Sequence, residues 1–400
     1  MPGYELYGAE ERDAIMEWFA SSHGVMMAHG FDHLRRGVFK VREFERAVGR
    51  TVGSAHAQAV SSGTAALFVA LRALGVGPGD EVITQAFTFV ATLEAMLAAG
   101  ATPVITEVDE SLTMDPEDFE RRITPRTKAV IPVHMGGASA DMDAILAIAR
   151  RHHVMVVEDT CQAFGGTYRG KHLGTLGTMG VFSFDFAKNI TTGEGGMVMT
   201  DDRTLYERAR AIHDHGHEYH PQRPRGQDAR SLPGFNFRLT EIQGVLGLTQ
   251  LAKLPLILRC QRANKAALKA GLADRGLAFR RLHDAQGDVG DTLIFFLEDR
   301  QRASAFAKAL ARRRLGTKNL PDALTWHYAG TWQHLFQGIP SLAHPETRWP
   351  RTDELLHRAI ALPVTVTMSE ADRATVVAAV RQIAEKTLRE EPAGSRPGPR

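Results

Sequence analysis

An acid, a hydroxyl and a lysine follow one another closely near the middle of the chain. Asp159 ends an apolar run, Ser183 ends a second apolar run, and Lys188 comes five residues later in a glycine-rich turn. A lysine amine can form a Schiff base, a carboxylate can keep a pyridinium nitrogen protonated, and a hydroxyl can anchor a phosphate. Pyridoxal 5'-phosphate (PLP) needs these three groups. The pattern predicts PLP as the cofactor and an enzyme that moves amino groups.

Lys188 and Asp159 are the predicted catalytic residues, and each has a plainer alternative. Lys188 could be a solvated surface lysine, but the flanking segments FSFDFA (182–187) and GEGG (193–196) favour a partly desolvated amine, which is a better nucleophile. Asp159 could be a capping or ion-paired carboxylate. Taken alone, Asp159 favours that plainer role, although it ends an apolar strand, where ligands of open α/β sheets lie.

The segment SGTAA (62–66) precedes an apolar helix and is a candidate phosphate site. Gly63 would let the backbone approach an anion, and the free N–H groups of the first helical turn would point at it. An ordinary helix N-cap is the alternative, since serine and threonine are common there. The presence of Ser183 and Lys188 favours phosphate binding.

Two further residues are candidates for contact with the cofactor ring. Phe89 follows a strand, where its ring could stack on a planar cofactor; by spacing alone, a core phenylalanine is the favoured interpretation. Gln162 could donate an amide N–H to the ring oxygen, or it could be a surface glutamine.

A histidine-rich tract, HDHGHEYH (213–220), suggests either a metal site or a substrate-facing loop. On a helix, the i, i+2 spacing would point ligands to different faces, and no cysteine is near. The tract therefore favours a substrate loop, and no metal is predicted. The segments GVGPGD (75–80) and GEGG lack the context of a dinucleotide-binding fingerprint, which disfavours a nicotinamide-dependent dehydrogenase.

Composition indicates an ordinary globular protein. The 400 residues carry 44% hydrophobic and 24% charged residues, and the net charge of +2 gives no case for nucleic acid or a charged membrane surface as a partner. Two cysteines, Cys161 and Cys260, are typical of a reducing compartment. The opening residues lack the pattern of a secretory signal, and no apolar run is long enough to span a membrane. A cytoplasmic protein is predicted.

The chain alternates strand-like and helix-like segments between residues 60 and 200, which predicts an α/β fold with a mostly parallel sheet covered by helices. The predicted strands are 81–84, 103–108, 129–133, 155–158, 181–184 and 197–200, and the predicted helices are 64–74, 90–99, 116–123 and 142–152. Thr240 and Gln243 form a capping box for a helix expected to end near Leu254, before Pro255. The predicted units are an N-terminal arm and large PLP-binding domain (1–254), a smaller C-terminal α+β domain (255–390) and a disordered tail (391–400).

With these residues in place, the chain resembles the DegT/StrS-type sugar aminotransferases, which are fold-type I PLP enzymes. The resemblance covers about residues 30–250, with weaker agreement near 360–370. The matching blocks are SSGTAAL (61–67), GVGPGDEVITQAFTFVAT (75–92), ITPRTKAVIPVHMGG (123–137), VVEDTCQAFGG (156–166), FSFDFAKNITTGEGGMVMTDD (182–202) and GFNFRLTEIQGVLGL (234–248).

The resemblance implies a role for each residue of the predicted site. Lys188 would be bound covalently to PLP, Asp159 would face the pyridine nitrogen, and Phe89 and Gln162 would surround the ring. Thr64, Ala65 and Ser183 would hold the phosphate together with Gly63. Asn236 would reach the phosphate of the other subunit's cofactor, so the active unit would be a homodimer. A dehydratase branch of the family has histidine at the lysine position, and Lys188 therefore favours transamination.

Several blocks resemble one branch more closely, the 8-amino-3,8-dideoxyoctulosonate transaminases. They are MPGYELYG (1–8), FDHLRRGVFKVREFERAV (31–48), HDHGHEY (213–219) and NLPDALTWHYAGTWQHL (319–335). This likeness predicts an eight-carbon or nucleotide-linked keto sugar as acceptor and an amino acid, glutamate, as donor. His215, His217, His327 and Tyr328 are the predicted substrate residues. The alternatives are a PLP-dependent sugar dehydratase, a PLP-binding regulator without catalysis and, on the histidine tract, a zinc enzyme.

Overall fold

A seven-stranded sheet forms the centre of the computed structural model, which describes residues 3–220, 222–223 and 225–389. Its spatial strand order is β1-β9-β8-β5-β4-β2-β3. Strand β9 runs antiparallel to both neighbours, while the other pairs are parallel. The strands are β1 (His56–Val60), β2 (Glu81–Gln85), β3 (Thr102–Thr106), β4 (Thr127–Ile131), β5 (Met155–Asp159), β8 (Met179–Ser183) and β9 (Gly196–Thr200), with β6 (Thr167–Tyr168) and β7 (Lys171–His172) forming a separate hairpin.

All six predicted strands are present, and the α/β class is confirmed. Strand β1 was not predicted, because it alternates His56 and Gln58 with alanine, which has little preference for strands. Strands β2, β8 and β9 are buried along their whole length, as expected for a sheet covered on both faces.

Seven helices accompany the strands of this sheet: α1 (Ala9–Ser22), α2 (Lys40–Val52), α3 (Gly63–Ala73), α4 (Ala91–Ala98), α5 (Pro116–Arg121), α6 (Met142–Arg151) and α7 (Arg203–Ile212). The sequence signals for their ends are confirmed. Gly75 and Gly100, just after α3 and α4, have φ angles of 77° and 84°. Asp115 and Asp141 cap α5 and α6 through their side chains.

The prediction of a helix break before Pro255 is wrong. Helix α8 runs without interruption over Glu241–Leu272, with Pro255 inside it. The proline removes one helical hydrogen bond, but Leu254 and Ile257 on either side are buried, and their packing offsets this loss. The capping box is confirmed, because the Thr240 N–H donates to Gln243 Oε1 at 2.9 Å.

The C-terminal part contains a three-stranded antiparallel sheet in the order β10-β11-β12. Its elements are β10 (Ala278–Phe279), β11 (Thr292–Phe296), α9 (Arg300–Arg312), α10 (Leu324–His327), α11 (Pro350–Arg358), β12 (Ala359–Pro363) and α12 (Glu370–Arg389). A separate apolar cluster that includes Phe295, Phe306, Ile360 and Ile383 joins this sheet to its helices. The division at 254/255 stays a prediction, and the tail 391–400 lies outside the described residues.

None of the described helices combines the length and the apolar character that a membrane crossing requires.

Candidate active site

The acid, the hydroxyl and the lysine of the predicted PLP site lie at one edge of the central sheet. Asp159 is the last residue of β5 and Ser183 is the last residue of β8, and these two strands are parallel neighbours. Lys188 lies in the turn that follows β8. Because parallel strands end at the same edge, the fold brings the acid, the hydroxyl and the amine to one site.

Asp159 is held in a fixed orientation by two hydrogen bonds. Its Oδ2 accepts from the Thr92 hydroxyl at 3.0 Å and its Oδ1 accepts from the Cys161 N–H at 3.1 Å. Only 4% of the residue is exposed. The bond from Cys161 is the local cap considered in the sequence analysis. The bond from Thr92, on α4, comes from a different element and aims the carboxylate.

Lys188 is half-buried, unlike a fully solvated surface lysine. The backbone N–H of Lys188 donates to the Asp185 carbonyl at 3.0 Å, and the backbone carbonyl of Lys188 accepts from the Gly3 N–H at 2.9 Å. Burial raises the pKa of the Cys161 thiol well above its ordinary value; the charge of Asp159 adds to this rise and that of Lys188 opposes it. Cys161 therefore lies within electrostatic reach of both predicted catalytic groups.

The start of α3 lies directly against Ser183. A Cβ added to Gly63 would stand 2.8 Å from the Ser183 Cβ and 3.0 Å from the Cys161 Sγ, so only glycine fits there. The Ala65 N–H already donates to the Ser62 hydroxyl at 3.0 Å, whereas Thr64 is exposed. A helix N-terminus beside a hydroxyl fits a phosphate. The Ala65 N–H is less available to the phosphate than the resemblance implies, because it already donates to Ser62.

Phe89 is not a core phenylalanine, and Gln162 is not a surface glutamine. Phe89 is 39% exposed and stacks on Trp326 at 6.2 Å between ring centroids, so the interpretation as a core residue is wrong; Phe87 fills the core instead. Gln162 is buried, and its Oε1 accepts from the Gly136 N–H at 3.1 Å, so it is not a surface glutamine. The bond leaves the side-chain amide nitrogen to serve as a donor.

His327 lies beside this group with a defined tautomer. Its Nδ1 is 2.8 Å from the Ala323 carbonyl, which can only accept, so Nδ1 carries the proton and Nε2 is a hydrogen-bond acceptor. Burial lowers the pKa of His327 to about 4, and the charges of Lys188 and Lys318 contribute to the decrease. The imidazole is therefore neutral at pH 7. Its ring also contacts Phe89, at 5.4 Å between centroids.

Tyr328 lies in the core instead of an open pocket. It is 2% exposed, and its hydroxyl donates to the Trp349 carbonyl at 3.4 Å. Burial raises the pKa of this phenol, and the charges of Asp353 and Glu107 add to the rise. The expectation that Tyr328 lines the sugar pocket is therefore corrected.

The histidine tract faces a different cavity of this chain. His213 and His217 line a cavity of about 1160 Å³ whose lining does not include Lys188, and His215 is exposed. His217 pairs with Asp228. Asn236 is exposed and forms a backbone bridge with Asp214, within the tract. The carbonyl of Phe237, next to Asn236, accepts from the Ser61 N–H at 2.8 Å, so Asn236 lies near the segment that leads into α3.

Two neighbours of the site were not among the predicted site residues. Thr92 is separated from Asp159 by 67 positions, and only the fold shows the contact. Trp326 lies within the block 319–335 shared with the octulosonate branch, but only the fold shows that its ring is exposed, a common sign of a binding surface. Across the described ranges, no group of three or more histidine, cysteine or acidic residues is arranged to hold a metal ion.

Comparison with known proteins agrees with this geometry. The fold is that of a fold-type I aminotransferase, and the residues at the sheet edge fit PLP as its cofactor. The model of the DegT/DnrJ/EryC1/StrS aminotransferase family matches residues 30–381, and the chain belongs to this family. It is a PLP-dependent sugar aminotransferase.

Solved structures with this fold cover nearly the whole chain. An aminotransferase from Psychrobacter cryohalolentis is 28% identical, with a TM-score of 0.84 over 96% of this chain and 98% of that one. S. venezuelae DesV, solved in complex with a ketimine intermediate, is 32% identical, with a TM-score of 0.82 over 96% of each chain. The aminotransferase TlmJ from Streptoalloteichus hindustanus is 28% identical, with a TM-score of 0.81 over 95% and 97%.

Proposed function

We propose that this enzyme transfers the amino group of glutamate to the carbonyl of an eight-carbon keto sugar, free or nucleotide-linked, and so makes an amino sugar. The observation that carries the chemistry is the meeting of Lys188, Asp159 and Ser183 at the ends of two neighbouring parallel strands. The sugar rests on the sequence blocks shared with the octulosonate branch.

Each residue of the site has a separate task in this proposal. PLP, when bound, supplies an electron sink for the negative charge that develops on the substrate carbon. The Lys188 amine binds the cofactor and then carries a proton from one carbon atom to another. Asp159, aimed by Thr92, holds the proton on the ring nitrogen. Ser183 and the first turn of α3, which begins at Gly63, bind the phosphate.

The aromatic side of the cleft positions the substrate. Phe89 would lie against the cofactor ring, and Trp326, which is 59% exposed, stacks on Phe89. The neutral His327 accepts a hydrogen bond from a sugar hydroxyl through Nε2, because its Nδ1 proton is already held by Ala323.

The location in the cytoplasm stays a prediction.

The active unit in this proposal is a homodimer with shared sites. Asn236, His215 and His217 would act on the partner's cofactor and substrate. Exposed aromatic rings accompany them: Phe235 next to Asn236 is 53% exposed, and Phe186 next to the lysine turn is 58% exposed. Such rings favour burial in an interface.

Mixing two inactive variants tests the shared site. Asn236→Asp would place a carboxylate against the partner's phosphate and, like Lys188→Ala, should leave a nearly inactive homodimer. After unfolding and refolding of an equal mixture, half of the dimers are hybrids, and each hybrid keeps one intact site. We expect recovery of about a quarter of the wild-type turnover, the statistical share of intact sites.

The matched control mixes Lys188→Ala with Asp159→Asn, because both of these residues act within one chain. That mixture has no intact site and should recover no activity. If the Asn236 mixture recovers no more than this control, Asn236 does not act across the interface.

The substrate is tested by starting from the amine-loaded form of the cofactor. The purified enzyme in this form is given candidate keto sugars, and return of the aldehyde form is followed by absorbance, with ¹⁵N-glutamate as donor in a parallel reaction. We expect an eight-carbon keto sugar to restore the aldehyde form and to gain ¹⁵N. A sugar that loses water without gaining nitrogen would instead indicate a dehydratase, and no reaction with any sugar would favour a regulator.

A further inference from the structure

Lys318 is a buried lysine of the C-terminal part with no role in the chemistry assigned to Lys188, Asp159 and Ser183. The side chain of Lys318 is 9% exposed, and its Nζ pairs with the fully buried carboxylate of Asp291. Its backbone is fixed as well, because the Lys318 N–H donates to the Ala361 carbonyl of β12 at 2.8 Å. A lysine held at both ends in this way is poorly explained as a mobile surface residue.

Asp291 connects Lys318 to the residues around the predicted ring site. A Cβ added to Gly137 would stand 2.8 Å from Asp291 Oδ1, so the carboxylate lies directly against this loop. The preceding residue, Gly136, donates its N–H to Gln162, which is predicted to contact the ring oxygen. The Lys318–Asp291 pair therefore adjoins the part of the site where an amino substrate would react.

The charge of Lys318 also reaches the cleft. Burial lowers the pKa of Lys318, Asp291 opposes this decrease, and the charge of Lys188 adds to it. Both lysines act in the same direction on His327. Lys318, Lys188 and His327 thus lie within electrostatic range of one another. Further charged groups belong to the same network, because Lys265 also lowers the pKa of Lys318, and Asp291 adds to the rise that burial causes in the pKa of Asp288.

Stability alone does not explain such a pair. Replacing a buried ion pair with apolar residues of similar volume is often neutral or stabilising, so a retained pair beside an active site points to another role. The ammonium group of Lys318 has three N–H donors. At most two of them are used by Asp291: one donates to its carboxylate, and one donates weakly to its backbone carbonyl at 3.5 Å. A donor remains for a ligand anion.

We propose that Lys318 binds a carboxylate of the amino donor beside Lys188, and that Asp291 holds the ammonium group in position for it. The inference rests on the proposed function, since glutamate is the anionic substrate it names. Lys318 would then be a residue of donor specificity, with the phosphate and the ring nitrogen left to Ser183 and Asp159.

The test measures binding of glutarate, an unreactive dicarboxylate, to the wild-type holoenzyme and its variants by calorimetry. We expect Lys318→Met to weaken glutarate binding by about tenfold or more, since a charge-assisted hydrogen bond is lost, and Lys318→Arg to keep part of the affinity. In stopped-flow reactions with glutamate alone, Lys318→Met should raise the apparent KM and change the limiting rate little.

Two further variants separate recognition from structure. Lys128→Met is the matched control, because Lys128 forms a partly buried pair with Asp80 at the start of β4, the opposite edge of the sheet, and it should leave glutarate binding unchanged. The double variant Asp291→Asn/Lys318→Met removes both charges and so leaves no unpaired carboxylate. We expect it to fold like the wild type and still bind glutarate weakly; it decides the question if the single variant does not fold.

The inference is overturned if the double variant regains wild-type affinity, if Lys128→Met loses as much as Lys318→Met, or if the wild type does not bind glutarate. The proposed function fails in a different way. If the wild type binds glutarate through Lys318 but does not convert glutamate, the donor is wrong and the carboxylate site remains.

Discussion

Replacing Lys188 with alanine should remove both the borohydride-sensitive absorbance of the enzyme and its turnover. In this account the amine of Lys188 both binds the cofactor covalently and carries the proton, so its removal abolishes both functions. We expect transamination to fall by several orders of magnitude, measured as nitrogen transfer from glutamate with the reconstituted protein.

The control is Lys171→Ala, which removes an exposed lysine on the β6–β7 hairpin and should leave both signals unchanged. Wild-type turnover in the Lys188→Ala protein would show that the assignment of the catalytic lysine is wrong.

Replacing Asp159 with asparagine should preserve binding but slow the chemistry. Asparagine has the same shape and keeps an oxygen to accept the Thr92 or Cys161 hydrogen bond, so the variant should fold and retain some cofactor. It carries no negative charge to hold the proton on the ring nitrogen, and the electron sink is lost. We expect the single-turnover rate with glutamate to decrease by about two to four orders of magnitude.

Asp202→Asn serves as a control, because this aspartate caps α7 away from the cleft. The single-turnover rate of that variant should match the wild type. A wild-type rate in Asp159→Asn itself would count against the proposed role of the carboxylate.

Much of the fold could be predicted because local signals and tertiary packing agree. The apolar runs that end at Asp159 and Ser183 became buried strands, and the signals at Gly75, Asp115 and Asp141 mark real helix ends. The prediction failed where packing outweighed a local preference. Helix α8 continues through Pro255 because buried leucine and isoleucine side chains stabilise it.

The site was predictable as far as it depends on residues close in sequence. Asp159 and Gln162 share one strand end, and Ser183 and Lys188 share another, so their spacing carried the inference. Contacts between distant segments gave no such signal, as with Thr92 and Asp159 or with Phe89 and Trp326.

The substrate residues were the least predictable part. His327 and Tyr328 are adjacent in sequence, but their side chains lie in different places. The His327 ring contacts Phe89, whereas the Tyr328 side chain lies in the core. Sequence adjacency gives no information about which of two neighbouring side chains faces a cleft. The histidine tract is harder still, because the proposal places its function in the partner subunit, and one chain alone does not contain that geometry.

The covalent attachment of PLP to Lys188 is tested most directly by borohydride reduction of the native enzyme, followed by proteolysis and mass spectrometry. The account predicts a single phosphopyridoxyl adduct, located on the peptide that contains Lys188 and absent from the Lys188→Ala protein. An adduct on a different lysine, or a reduced enzyme without any adduct, would contradict it.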